Sequence, residues 1–296
     1  MIEELVDKAE SPAVEKPEQP TEEAVGEAPE EDAFEPVNDL IERINRSRPV
    51  EVQLLRSTPA ITGLDPAPTG KPLAVICYLA FHRDVPTQRI RDTFWVGRPR
   101  KTADNAISDI RRLLGADESG TPYLGDATNN GNYELSDEIG CDWTRITQLI
   151  DAARNRSATE AATILHAALK LVDGQAGGDA PIGIYGWLID VHETYSTIGS
   201  TIADAAHQLG EHAVSNGDAD LATWAAAKGL AAVPGNEAMR RIEMRAAAIA
   251  GNTRGIHDAY EAAAHHAAEL GTWVEVEPET DDLLQDLMKP SAAQAS

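Results

Sequence analysis

The 296-residue chain is long enough for two domains, carries a formal charge of −24 and is 42% hydrophobic. It has no run of 18 apolar residues, so we expect no transmembrane helix. Its first residues, MIEELVDKAE, lack the basic and apolar regions of a signal peptide. Cys77 and Cys141 belong to no metal-binding or paired motif. Both are therefore expected to be free thiols of a cytoplasmic protein.

The charge is unevenly distributed along the chain. Residues 1–42 contain 15 acidic and 2 basic side chains, and residues 141–289 have a net charge of −12. Residues 71–112 contain 9 basic and 4 acidic side chains, whereas residues 113–140 contain 6 acidic and no basic ones. One basic segment therefore stands in an otherwise acidic chain.

The first segment is an acidic tail. Residues 1–36 are rich in Glu, Pro and Ala, a composition that cannot bury enough apolar surface to offset chain entropy. We assign residues 1–48 to a disordered tail, in which Val37, Leu40, Ile41 and Ile44 have the spacing of one short helix. The tail is either a partner-binding or autoinhibitory arm or a solubilising linker, and the composition favours the linker.

The middle segment, residues 49–139, mixes strands and helices. VEVQLL (50–55) and TPAITGL (58–64) are predicted strands, and three helical segments follow at 71–83, 86–96 and 101–115. TPYL (121–124) and NYELS (132–136) are two further predicted strands around an Asn-Asn-Gly turn. Strands, three helices and a terminal hairpin are typical of a winged helix-turn-helix.

The third helix, KTADNAISDIRRLLG, has two distinct faces. Ala103, Ile107, Ile110 and Leu114 fall on one face at 100° per residue. The opposite face carries Lys101, Thr102, Asn105, Ser108, Asp109 and Arg112.

That polar face is the candidate DNA-binding site. It offers small hydrogen-bonding side chains and a cation at each end, in place of the i, i+4 ion pairs of a merely solvated helix. Asn can bind adenine, Arg can bind guanine, and Asp109 could accept from cytosine although it repels phosphate. Arg98, Arg100 and Arg111 complete the predicted site. A polar face that binds nothing remains the alternative.

Residues 140–289 are predicted to be helical, and residues 290–296 to be a disordered end. DGQAGGDAPIG (173–183) is expected to be a flexible break. Gly217-Asp218 and Gly251-Asn252 each begin a helix 34 residues apart, the period of tetratricopeptide repeats, and Leu283, Leu284 and Leu287 are expected to pack as a cap. The acidity of this domain argues against DNA contact and favours a basic or mixed protein partner.

Two stretches carry a family resemblance. GKPLAVICYLAFHRDVPTQRIRDTFW and KTADNAISDIRRLLG resemble the OmpR-type winged helix of the actinobacterial antibiotic-regulatory-protein (SARP) transcriptional activators. CDWTRITQLIDAA resembles the start of the bacterial transcriptional activator domain that follows it. The matching positions are Tyr78, Leu79, Ala80, His82, Trp95, Asn105, Ala106, Arg111, Arg112, Leu114 and Gly115.

The resemblance implies a mainly α protein, with an N-terminal winged helix-turn-helix and an all-α, tetratricopeptide-like domain. It implies a transcriptional regulator whose third helix enters the major groove of promoter DNA. The helical domain would mediate self-association, as in a homodimer, or contact RNA polymerase or another protein. One departure is Glu134, which stands where the family has Arg in the wing. The alternative is therefore a protein-interaction module whose degenerate winged helix no longer binds DNA.

Catalytic and metal-binding patterns are missing from the sequence. His207 and His212, and the adjacent His265 and His266, lack zinc-ligand spacing and are expected on helix surfaces. There is no G-x-S-x-G motif, Walker loop or strand-linked G-x-G-x-x-G. The tryptophans, one in each helical unit, are expected to be core anchors. We expect no enzyme activity, no metal and no cofactor.

Overall fold

The computed structural model describes residues 35–189, 194–271 and 275–289. The expected disorder of residues 1–34 and 290–296 lies outside the described residues. Within Pro36–Ser296 the chain forms one unit of interconnected contacts. The helices of its N-terminal part are α1 (Val37–Ile44), α2 (Gly70–His82), α3 (Thr87–Phe94) and α4 (Arg100–Leu114). The strands are β1 (Val50–Gln53), β2 (Ala60–Thr62), β3 (Asp84–Pro86), β4 (Asn132–Glu134) and β5 (Ile139–Cys141).

In the C-terminal part, all regular elements of the described residues from Asp142 onwards are helices. Its helices are α5 (Asp142–Ala153), α6 (Ala158–Leu169), α7 (Ile182–Ile189), α8 (Thr194–Ser215), α9 (Ala219–Ala232), α10 (Glu237–Ile249), α11 (Thr253–Leu270) and α12 (Pro278–Leu287). None of the helices described is long and apolar enough to cross a membrane.

Helix α1 belongs to the folded unit and not to the tail. Its predicted apolar stripe buries Leu40, and Val37, Ile41 and Ile44 pack against the same core. The helix contacts α5 and α6. Assigning the whole of residues 1–48 to a disordered tail is therefore wrong for this segment.

Two small sheets connect parts of the chain that are distant in sequence. β1 pairs antiparallel with β2 and parallel with β5, so that Val52 lies opposite both Ile61 and Cys141. β3 pairs antiparallel with β4, with Val85 opposite Tyr133. β3 and β5 were not predicted, because each forms by pairing with a strand that is distant in sequence. TPYL forms only isolated bridges, from Pro122 to Ala116 and from Leu124 to Leu135.

Helix α2 is buried on all sides. Every residue from Leu73 to Ala80 is buried, because α4, α7, β1, β3 and β5 surround the helix. The prediction of a single apolar face was therefore too narrow for this helix. Cys77 on α2 and Cys141 on β5 are free and buried, and burial raises the pKa of both thiols.

The segment expected to be a flexible break is bound to the N-terminal part. The backbone N–H of Asp173 donates to Leu55 O at 2.7 Å, and that of Asp179 donates to Ser57 O at 2.9 Å. Between them, Gly177 N donates to Arg56 O at 3.0 Å. These bonds, together with the β1–β5 pairing, join the N-terminal part to the helices that follow.

The helices α8 to α11 repeat with the predicted period. Asp218 and Asn252 are the N-caps of α9 and α11, and their side chains accept from Leu221 N and Gly255 N. At the end of the array, Leu283, Leu284 and Leu287 of α12 pack against a cluster that contains Met244, Ile256 and Ala259. The predicted cap is confirmed.

Candidate nucleic-acid interface

Helix α4 is fixed by its apolar stripe and by a tight turn before it. Ala103, Ile107, Ile110 and Leu114 are all buried, as the periodicity predicts. The turn from α3 passes through Gly97 at φ +68°, and Gly115 at φ +76° ends the helix. The turn and the buried stripe together decide which face of α4 remains in solvent.

The opposite face of α4 is exposed and joins an exposed turn. All of the predicted contact residues on this surface except Arg111 are exposed: Arg98, Arg100, Lys101, Thr102, Asn105, Ser108, Asp109 and Arg112. Arg98 and Lys101 form no ion pair within the residues that the structure describes. Ser108 Oγ donates to its own helix backbone, at 2.9 Å from Asp104 O. The surface thus presents donors, acceptors and at least two unpaired cations to solvent.

Two of its arginines are paired with carboxylates of the same helix. Arg100 Nε lies 3.5 Å from an oxygen of Asp104, and Arg112 lies 3.0 Å from Asp109 Oδ1. The expectation that this face lacks such ion pairs is therefore wrong, and Asp104 was overlooked. Their side chains are 49–78% exposed, and exposed pairs contribute only about 0–1 kcal/mol. Phosphate can therefore displace either carboxylate at little cost.

Arg111 points away from this surface. Its Nε donates to Leu124 O and its terminal nitrogen to Gly125 O, both at 2.9 Å, and it pairs with Asp126 at 3.1 Å. Only 26% of its side chain is exposed. Arg111 anchors the loop that follows α4, a role that periodicity alone did not indicate.

That loop and its strand bring negative charge close to α4. Asp126 and Glu134 are exposed. The pKa of Tyr133 on β4 is raised, first by burial and then by the nearby Asp104 carboxylate. Asp117 is occupied in a turn, where its hydrogen bonds from the Ser119 hydroxyl and the Thr121 backbone lower its pKa. The acidity predicted for the wing is thus adjacent to the candidate face.

Sequence reasoning also passed over cations on neighbouring helices. Arg89 on α3 is exposed, and Arg91 is partly exposed and donates to the Gln88 side chain. Lys71 is held by Phe94 O at 2.9 Å and lies 5.8 Å from the centre of the Trp95 ring. The excess of basic side chains in residues 71–112 could have indicated that these neighbouring cations belong to the same surface.

The helical part carries a second surface feature. A groove of about 350 Å³ lies between α9, α10 and α11. Its lining includes Ala246, Ala247, Ala250 and Ala259, and the exposed Asp220 and Asp258, here called its rim. Asp258 pairs with Arg254 at 3.7 Å, and Arg240 and Glu243 of the lining pair with each other, so the lining keeps a net negative charge. The alanines allow close approach of another chain, and the rim favours a basic one.

The histidines and tryptophans singled out in the sequence have the following surroundings in the described part of the chain. No group of three His, Cys, Asp or Glu side chains in the described part of the chain could hold a metal ion. His207 and His265 each pair with a glutamate one turn along the same helix. Trp95 and Trp143 are buried, Trp187 and Trp224 are half-buried, and Trp273 lies outside the described residues.

Comparisons with known proteins give one family and one fold. Residues 141–288 match the family model described as "Bacterial transcriptional activator domain". The chain is similar to the solved structure of Mycobacterium tuberculosis EmbR in complex with a low-affinity phosphopeptide, with 20% identity and a TM-score of 0.59. The alignment covers 84% of this chain and 68% of that one, so it extends beyond the residues of the family match. No curated protein matches the sequence.

Proposed function

We propose that this chain, which belongs to the family of the bacterial transcriptional activator domain, is a regulator that binds double-stranded promoter DNA. In this proposal residues 49–139 are a winged helix-turn-helix, and residues 140–289 are the helical activator domain. Helix α4 enters the major groove, and the loop between Gly125 and Gly131 is the wing. The family and the fold support a transcription regulator, and the residues of α4 support the contact with DNA.

The observation that carries the proposal is the two-sided construction of α4. Its stripe of buried residues leaves Thr102, Asn105 and Ser108 exposed in a row, with cations before and after them. These side chains can read base edges, while Arg98 and Lys101 can bind phosphate and release counterions. The N-terminal N–H groups of α4 add a partial positive charge for one further phosphate.

A second function is favoured by the carboxylates on and near α4. Asp104, Asp109, Asp126 and Glu134 are all exposed, and the first two already neutralise arginines. A wing without a cation loses phosphate contacts and hence affinity at physiological salt. In this alternative the winged helix and the helical repeats both bind protein, and DNA is not bound.

Selection from genomic fragments distinguishes the two functions. We expect the full chain to retain a specific set of fragments at low and at physiological salt. The double variant Asn105→Ala, Arg112→Ala should weaken this selective binding by at least about 30-fold, since each of the two lost contacts contributes about 1–3 kcal/mol. Fluorescence anisotropy with a selected fragment measures the loss.

The control is Arg154→Ala, which removes a matched exposed pair. Arg154 lies 3.3 Å from Asp151 on α5, with exposures close to those of the Arg112–Asp109 pair. Its affinity should equal that of the native chain. An intact chain that selects no fragment at either salt concentration rules out DNA binding and leaves the interaction module.

The helical domain is proposed to bind RNA polymerase, another protein or a second copy of the chain through the groove between α9, α10 and α11. The alanine floor and the acidic rim support a partner with basic side chains. The domain's net charge of −12 supports the same choice.

A further inference from the structure

A pocket of about 250 Å³ lies where the N-terminal part meets α5. Four arginines line it: Arg46 and Arg48 from the segment after α1, Arg83 from the end of α2, and Arg145 from α5. The whole chain has 25 basic side chains against 49 acidic ones. Four guanidinium groups so close together favour the binding of negative charge, either of carboxylate side chains or of an anionic ligand.

Two of these arginines already have carboxylate partners. Arg145 pairs with Glu51, and both side chains are about 15% exposed, so this pair is shielded from solvent. Arg48 pairs with Glu138 at 3.2 Å. Each of these two pairs has no net charge, so the charge of the pocket depends on Arg46, Arg83 and the remaining carboxylates.

In contrast, neither Arg46 nor Arg83 pairs with a carboxylate in the described residues. The Arg46 side chain meets no carboxylate in the described ranges, and it is exposed at the pocket. Arg83 donates to neutral oxygens, Ser136 O at 3.2 Å and Thr144 Oγ1 at 3.4 Å. Against these two cations stands one further lining carboxylate, that of Asp137. The pocket therefore keeps a net positive charge.

The backbone of Arg83 holds its side chain in this position. The residue has φ 63° and ψ −53°, which side-chain-bearing residues rarely adopt. Its N–H donates to Leu79 O at 2.7 Å, and its carbonyl accepts from Leu135 N at 3.1 Å. The side chain thus leaves the end of α2 in a fixed direction, towards Thr144.

Two neutral hydrogen-bonding side chains also line the pocket. The hydroxyl of Thr144 and the amide of Gln148 lie in the first turns of α5, a 12-residue helix whose N-terminus adds a partial positive charge. Planar guanidinium groups and a hydroxyl suit the tetrahedral oxygens of phosphate, which arginine can bind with two parallel hydrogen bonds.

We propose that this pocket binds the phosphate group of a small phosphorylated molecule or inorganic phosphate, through Arg46, Arg83 and Thr144. Its volume of about 250 Å³ is below the 300–1,000 Å³ or so of pockets that enclose larger ligands, which favours a small one. Because its walls come from both parts of the chain, the bound phosphate fastens α5 to the end of α2 and raises the stability of the full chain.

Calorimetric titration and thermal unfolding of the full chain test the site. Phosphate is expected to bind with 1:1 stoichiometry and to raise the unfolding temperature in a saturable way, relative to sodium chloride of equal ionic strength. Arg46→Gln should weaken binding at least tenfold, because it removes one of the two cations proposed to bind phosphate. The fold should be unaffected, because this exposed side chain makes no contact that the fold needs. Arg154→Gln, at the C-cap of α5 and outside the pocket, should bind phosphate as the native chain does.

Further ligands and variants separate the remaining explanations. Tighter binding of glycerol 3-phosphate than of inorganic phosphate identifies a phosphomonoester ligand, and equal binding identifies phosphate itself; both support the site. Preferential binding of succinate overturns the choice of phosphate. No heat beyond that of chloride, an equal loss in Arg154→Gln, or a loss in Arg112→Gln with none in Arg46→Gln overturns the site.

Discussion

Asp142 joins the two parts of the chain through its two carboxylate oxygens. Oδ1 accepts from Leu54 N and Trp143 N, and Oδ2 accepts from Leu55 N, each at 2.8 Å. The side chain is only 8% exposed. Burial raises its pKa to about 6, although the three N–H donors and Arg145 favour the charged form. The end of β1 and the start of α5 are thus held by one residue that titrates within the physiological range.

The pH dependence of stability should reveal this residue. Between pH 4 and 6 the folded chain binds a proton at Asp142 that the unfolded chain, with a pKa near 3.8, has released. Protonation of Asp142 therefore stabilises the folded chain fully at low pH, and this stabilisation is lost as the pH rises through about 6. The Asn side chain of Asp142→Asn does not titrate. The free energy of unfolding of the native chain minus that of the variant should rise by up to about 3 kcal/mol as pH falls from 7 to 4.

Urea unfolding of both chains at several pH values measures this difference. The other carboxyl groups titrate in both proteins and largely cancel. A difference that stays constant with pH would show that Asp142 has an ordinary pKa in the folded chain.

At the scale of the element, the 34-residue repeat is reproduced down to single hydrogen bonds. Asp218 N donates to Ala213 O at 2.9 Å, and Asn252 N, 34 residues later, donates to Ala247 O at 2.8 Å. Glu211 and Arg245, also 34 residues apart, pair across successive repeats. Both repeats therefore begin with the same turn and with an N-cap at the equivalent position, Asp218 in one and Asn252 in the other. The repeats are also linked at equivalent positions.

The N-caps should contribute measurably to stability. Asp218→Ala and Asn252→Ala each leave a helix N–H without its side-chain acceptor, and we expect a loss of about 1 kcal/mol per variant in urea unfolding. Asp218→Asn keeps an acceptor and should recover most of the loss. Asp204→Ala, an exposed position in the middle of α8, is the control and should not destabilise the chain. An equal loss in the control would show that negative charge, and not capping, was measured.

For the whole molecule, the main finding is that the two predicted domains are joined in one unit. The β1–β5 pairing, the bonds from residues 173–179 to residues 55–57, and Asp142 all cross between them. A partner bound to the helical groove is therefore connected to α4 through ordered structure. This connection links the proposed protein contact to the proposed DNA contact.

Charge reversal at the groove should weaken binding of the protein partner. Asp220→Lys with Asp258→Lys places cations on the rim, and we expect the affinity for purified RNA polymerase to fall at least about tenfold at low salt, mostly through slower association. Biolayer interferometry with the full chain measures both rates. Asp282→Lys, exposed on α12 and outside the groove, is the control. If the control loses as much affinity, overall charge and not the groove governs the contact.

Local patterns predicted those parts of the fold that depend on neighbours in sequence. The stripe of Ala103, Ile107, Ile110 and Leu114 and the caps Asp218 and Asn252 are confirmed. β3, β5 and the all-round burial of α2 could not be predicted in this way. Each depends on partners far along the chain.

The candidate site shows the same division. The sequence by itself determined that α4 has one buried and one polar face, because helical geometry fixes which residues share a side. The pairing of Arg100 with Asp104 and of Asp109 with Arg112 also follows from i, i+4 and i, i+3 spacing on a helix, so the sequence already carried this information. Only the tertiary structure decided that Arg111 turns to the loop after α4. It also decided that four arginines meet beside α5. These contacts depend on side-chain directions and on long-range pairing, for which a linear pattern carries no information.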